Sequence, residues 1–132
     1  MPARASVIAG IDHVQITIPI GAEDEARRFY CNVLGLTEIA KPESLAGRGG
    51  FWCQIGALQL HIGTEDGIDR RATKAHIAYA VTDLPYWREH LEAADCVLFE
   101  PIPIPGYDRF ETRDPFGNRI ELMEVVSCEA IR

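Results

Sequence analysis

Ile11-Asp-His-Val-Gln-Ile-Thr-Ile18 alternates with period two: Val14, Ile16 and Ile18 point one way, His13, Gln15 and Thr17 the other. That pattern belongs to a strand with one apolar and one polar face. His76-Ile-Ala-Tyr-Ala-Val81 does the same, with Ile77, Tyr79 and Val81 opposite His76, Ala78 and Ala80. The segments after the two strands are also alike. After the first, Gly21 and the acidic run Glu23-Asp24-Glu25 open a helix whose stripe is Ala22, Ala26, Phe29, Tyr30 and Val33, with Gly35 at its end. After the second, Asp83 caps a helix, Pro85 sits in its first turn, and Leu84, Trp87, Leu91 and Ala94 form the stripe.

Three strands are expected after each helix. In the first half they are Leu36 to Ile39, Phe51 to Ile55 and Ala57 to Ile62, with a Pro- and Gly-containing loop from Lys41 to Gly50. In the second they are Cys96 to Phe99, about Arg109 to Arg113 and Arg119 to Val126. The loop there is Pro101-Ile-Pro-Ile-Pro-Gly106, and the last turn is Asp114-Pro-Phe-Gly-Asn118. The chain therefore reads β-α-β-β-β twice, an α+β protein of two modules at about 9–63 and 74–126 with a polar linker between them. A helix covers the apolar sheet face in each module, so the polar face is expected to be concave and turned toward a cavity or a partner.

With 132 residues, 47% hydrophobic and 25% charged, one domain spanning 1–132 is expected. Thirteen Lys and Arg against twenty Asp and Glu leave a net charge of −7, which argues against nucleic acid or an anionic membrane surface as partner. The longest run without a charge, Gly49 to Thr64, is broken by glycines, glutamines and His61, so no membrane span is expected. The opening MPARASVIAG has no signal-peptide core, and a cytoplasmic address is the expectation. Cys31, Cys53, Cys96 and Cys128 form no CxxC or CxC pair and read as reduced, buried small hydrophobes.

Parity sorts the polar face. His13 and His76 begin the first strands of their modules; Glu121 faces inward from the last strand of module two, and Gln59 and His61 from the last strand of module one. Glu121 follows His76 by 45 residues, while Gln59 and His61 follow His13 by 46 and 48. Imidazole and carboxylate donors on one face suit a divalent Fe, Mn, Ni, Co or Zn ion. The fourth donor is open at this point: the spacing favours Gln59, whereas imidazole is the better ligand, and His61 is alternatively a general base. Phe110 toward the helix turns Arg109 and Glu111 inward beside Glu121, Arg109 as a clamp for an anionic substrate and Glu111 as a proton shuttle. Gln15, Trp52 and Tyr107 are candidates for the substrate walls, and His90 is expected on an exposed helix face with no role.

The segments IDHVQITIP, EDEARRFYCNVLGL, GGFWCQIGALQLHIG, KAHIAYAV and RFETRDPFGNRIELME carry a resemblance. Over residues 10–126 the chain resembles the vicinal oxygen chelate superfamily, and its small glyoxalase-like and bleomycin-resistance-like members most. The resemblance implies paired βαβββ modules, a homodimer, and a metal at positions matching His13, His76 and Glu121. Departures are visible. Bacterial glyoxalase I has Glu where this chain has Gln59. Methylmalonyl-CoA epimerases accept Gln there but carry a different turn from DPFGN. Fosfomycin-resistance transferases have Thr in place of Gln15, and extradiol dioxygenases share the His, His, Glu set in chains about twice as long. The resulting expectation is a metal-dependent isomerase or lyase acting on a small oxygenated metabolite through a stabilised enolate or oxyanion. Its alternatives are a metal-free small-molecule or drug-binding protein and an extradiol-type dioxygenase.

Overall fold

The computed structural model describes residues 6–126; Cys128 lies outside them. Module one runs β1 (His13–Ile18), α1 (Glu23–Arg27) continuing as a π-helical turn (Arg28–Val33), β2 (Thr37–Ile39), a 3-10 turn (Glu43–Arg48), β3 (Phe51–Ile55) and β4 (Leu58–Thr64). Module two runs β5 (His76–Ala80), α2 (Leu84–Ala93), β6 (Tyr107–Arg113) and β7 (Arg119–Val125). The two sheets are ordered β1-β4-β3-β2 and β5-β7-β6. In each, the first strand lies parallel to the last, and the remaining neighbours are antiparallel.

The first helix ends as its glycine predicts. Leu34 N–H reaches Phe29 O and Leu36 N–H reaches Tyr30 O, while Gly35 takes φ +77° between them. Its wide π turn puts Phe29 and Tyr30 side by side on the core face, where both are buried. Asp83 caps α2, and Glu124 of β7 accepts from the N–H groups of both Asp83 and Leu84 (2.9 and 3.0 Å), closing the helix start onto the sheet.

One expected strand is missing. Cys96 to Phe99 forms no ladder; only Phe99 bridges Glu111, exchanging two backbone hydrogen bonds of 2.7 and 2.8 Å. The residues before it are taken elsewhere: Cys96 N–H completes the end of α2 on Leu91 O, and Val97 O accepts from the Thr112 hydroxyl. Pro101, Pro103 and Pro105 just beyond supply no N–H to extend the bridge.

The core is a single cluster reaching from Ile18, Phe29, Tyr30 and Leu60 in module one to Leu84, Phe110, Ile120 and Leu122 in module two. The DPFGN turn fastens the modules together. Buried Asp114 accepts from Phe116 N–H, Asn118 N–H, the Asn118 amide and, across the module boundary, the Tyr30 hydroxyl at 2.7 Å. Burial, with the Asp114 carboxylate second, pushes the Tyr30 phenol far above its ordinary pKa, so it stays a donor. Close packing behind the polar face is visible at Gly50, where a Cβ would stand 2.0 Å from Ile62 O.

Candidate metal and ligand site

Strand parity delivers the expected side chains to the polar faces. On sheet one, β1 and β4 pair in parallel with His13 opposite Gln59 and Gln15 opposite His61. On sheet two, β5 and β7 pair with His76 opposite Arg119 and Ala78 opposite Glu121. Glu121 therefore stands two residues beyond the partner of His76, and His61 stands two residues beyond the partner of His13. By register the counterpart of Glu121 is His61, and that of Gln59 is Arg119. Residue counting paired Gln59 with Glu121 because the two connections between strands differ in length.

Contacts repeat the equivalence. His13 stacks on His61 with ring centroids 3.9 Å apart, and Trp52 covers the other side of His61 at 3.7 Å. His76 Nε2 lies 3.2 Å from Glu121 Oε1. Each first-strand histidine thus touches the residue two places past its register partner.

The proton positions follow from the partners. His13 Nδ1 meets Asp12 Oδ1 at 2.9 Å and His76 Nδ1 meets the Lys74 carbonyl at 2.9 Å. Both partners only accept, so Nδ1 is a donor in each ring. Nε2 is left with its lone pair in His13, whereas in His76 it is engaged with Glu121. His61 has the opposite tautomer: its Nε2 donates to Gln59 Oε1 at 3.0 Å, freeing Nδ1. Burial, and the neighbouring His13 second, lower the His61 pKa and favour the neutral ring.

Glu121, only 5% exposed, is held at its other oxygen by Arg109 Nη1 at 3.2 Å. Arg109 also donates to Ile102 O, and its buried Nε has no partner. Glu111 faces Glu121 across the ladder, but Arg119 grips it through two bonds of 3.0 and 2.6 Å. Tyr107 sits two strand repeats away from Glu111 along β6, outside the cavities that hold the histidines. Gln15 lies against Gly63, where a Cβ would meet its amide nitrogen at 2.9 Å. His90 is not the exposed bystander expected. It is half-buried, bonds the Val33 carbonyl at 2.7 Å and ties α2 to the π turn.

These donors fit a divalent ion in kind, with anchored imidazoles and a desolvated carboxylate. The His76–Glu121 contact at 3.2 Å brings two of these donors side by side. Yet among the described residues no three His, Cys, Asp or Glu side chains converge. His13 and His61 line a cavity of about 480 Å³ with Trp52, Lys41 and Arg48, whereas His76 lines a separate one of about 300 Å³.

The profile of the Glyoxalase/Bleomycin resistance protein/Dioxygenase superfamily matches residues 10–122. The chain belongs to that superfamily. A protein of Bacillus anthracis described as of the glyoxalase family is 41% identical, with a TM-score of 0.85 over 92% of this chain and 99% of its own. The superfamily fold extends to a lactoylglutathione lyase of Agrobacterium tumefaciens (20% identity, TM-score 0.69, 89% and 95% covered). It also extends to a fosfomycin resistance protein of Listeria monocytogenes solved with Mn(II) and sulfate (19% identity, TM-score 0.75, 93% and 94% covered). No curated protein matches the chain. Among the described residues no helix is long and apolar enough to cross a membrane.

The signal missed in the sequence is the role of Gln59, whose amide orients the His61 ring. Arg70, almost fully buried in the linker, was also missed; nothing in periodicity marks a guanidinium in a polar linker as interior.

Proposed function

We propose that this superfamily member is a divalent-metal-dependent enzyme of isomerase or lyase type, active as a homodimer on a small oxygenated metabolite. The observation that carries the reading is the matched pair of anchored histidines, His13 meeting His61 and His76 meeting Glu121. The metal would be held by His13, His61, His76 and Glu121. Because His13 and His61 line one cavity of the chain and His76 another, a second copy is the natural source of the complementary donors. The manganese in the fosfomycin resistance protein of the same fold is consistent with such a site.

When bound, a divalent ion supplies a Lewis acid for two neighbouring substrate oxygens and lowers the cost of negative charge on them. The chain's own groups do the rest. Asp12 and the Lys74 carbonyl engage Nδ1 of His13 and His76, so Nε2 is the nitrogen through which each ring would coordinate, His76 in exchange for its contact with Glu121. Gln59 positions His61 by holding its Nε2 proton. Arg109 holds one oxygen of the Glu121 carboxylate in place while the other faces His76. Trp52 lines the cavity and covers one face of His61. Glu111 can act as a proton shuttle only when Arg119 releases it, so this reading keeps it as the counter-charge of Arg119.

A second reading has its own support. The Trp52–His61–His13 stack in a cavity of about 480 Å³ suits a flat compound held without metal, as in a drug-binding protein. Elemental analysis of protein purified without chelator, followed by calorimetry with Mn(II) and Ni(II), separates the two. Glu121→Gln is expected to weaken metal binding at least tenfold, and Glu89→Gln, on the exposed face of α2, to leave it unchanged. Equal affinity in both variants, or no metal uptake, removes the metal reading. Light scattering tests the dimer.

A further inference from the structure

We propose that the crevice between the two modules is an oxyanion site in which the buried guanidinium of Arg70 takes a phosphate or carboxylate group. This inference does not depend on a metal. Arg70 is 8% exposed, and its hydrogen bonds go to two backbone carbonyls, Thr17 (2.8 Å) and Glu65. Among the described residues no carboxylate pairs with it. Carbonyl dipoles orient a guanidinium but carry no net charge, and a cation out of water is stabilised fully only by a counter-ion.

The surroundings lack one. Arg70 lines a cavity of about 300 Å³ together with Arg119, His76, Gln15 and Thr73, and no Asp or Glu contributes to that lining. This occurs in a chain of net charge −7. Two linker carboxylates turn to backbone, Asp69 accepting from Arg71 N–H and Asp66 from Ile20 N–H, and Glu65 meets Arg70 through its backbone carbonyl. Arg119 already has Glu111 as its partner, so Arg70 is the cation of the crevice left without one. Donors to complete the site are present. The Gln15 amide makes no hydrogen bond within the described residues, and the Thr73 hydroxyl oxygen accepts from Ala75 N–H, which leaves its proton to donate. A planar guanidinium with further donors beside it is the arrangement that recognises two oxygens of one anion.

The test titrates inorganic phosphate and, separately, acetate into the full chain in the presence of chelator, with ionic strength held by sodium chloride. Calorimetry and thermal unfolding are read together. Saturable binding that raises the unfolding temperature is expected, and the tighter of the two probes identifies the group preferred. Arg70→Lys keeps the charge but loses the fork and is expected to bind at least tenfold more weakly. Because Arg70 also anchors the linker, a second variant guards against misfolding. Thr73→Glu, at an exposed position, brings a carboxylate into the crevice in place of the ligand. It should abolish anion binding while raising the anion-free unfolding temperature above that of the unmodified chain. An effect no larger than that of chloride, or equal anion affinity in all three proteins, overturns the proposal. Survival of anion binding after the metal reading has failed leaves it standing.

Discussion

His61 stacks on His13 at 3.9 Å from a position two residues beyond that histidine's register partner, the same offset that brings Glu121 to His76. The internal repeat therefore extends from the backbone to the pairwise chemistry of its side chains. It also makes Gln59 a residue that acts through His61, since its amide oxygen fixes which ring nitrogen is free.

Removing that orientation has a graded consequence. Gln59→Ala is expected to weaken Mn(II) or Ni(II) binding by about tenfold, the scale of losing a partner that orients a ligand. His61→Ala, which removes the donor itself, is expected to cost more. Calorimetry on the two variants checks this, and a larger loss in Gln59→Ala would reverse the assignment.

The pH dependence of stability carries a sign. Burial, with His13 second, depresses the folded-state pKa of His61 below the ordinary histidine value of about 6.5. The unfolded chain then binds the proton more readily than the folded one. Stability is full above about pH 6.5 and declines as pH falls from there toward the folded-state value. Nuclear magnetic resonance titration of the metal-free protein should place the His61 midpoint below 6.5, and His61→Phe should flatten the stability profile in that window. A midpoint above 6.5 contradicts the structure.

Asp114 should be among the most costly polar residues to remove. Its carboxylate accepts four hydrogen bonds, one of them from the other module. Asp114→Ala strands these buried donors and is expected to destabilise by about 3 kcal/mol, against about 1.5 for Tyr30→Phe, which removes the bond between modules. Urea unfolding of both variants measures the difference, and a neutral Asp114→Ala would refute this account of how the modules are fastened.

The cysteines should separate kinetically. Cys31 and Cys53 lie with their sulfurs 3.8 Å apart, but Cys53 is fully buried, and burial with the adjacent Cys31 pushes its thiol up to about 12. At pH 8 an alkylating reagent should label Cys31 well before Cys53, as followed by mass spectrometry. Equal rates would mean that the β3 core opens readily.

Much of this protein is written in its residue order. Period-two alternation at His13 to Ile18 and His76 to Ala80 decided which side chains face the core, because a strand turns successive residues to opposite faces whatever surrounds it. Gly35 and Asp83 marked helix ends for equally local reasons, backbone sterics and an orphan N–H. The strand expected at Cys96 to Phe99 was decided otherwise, since its hydrogen-bonding groups went to the end of α2 and to Thr112, partners distant in sequence or set by the fold. Register was likewise tertiary. Sequence counting cannot see how long a connection takes to return, so it matched Gln59 to Glu121 where the ladder matches His61. Arg70 is the clearest case: a polar linker residue by composition, it becomes a buried charge because the linker folds back onto the Thr17 carbonyl in the crevice, and no local pattern encodes that return.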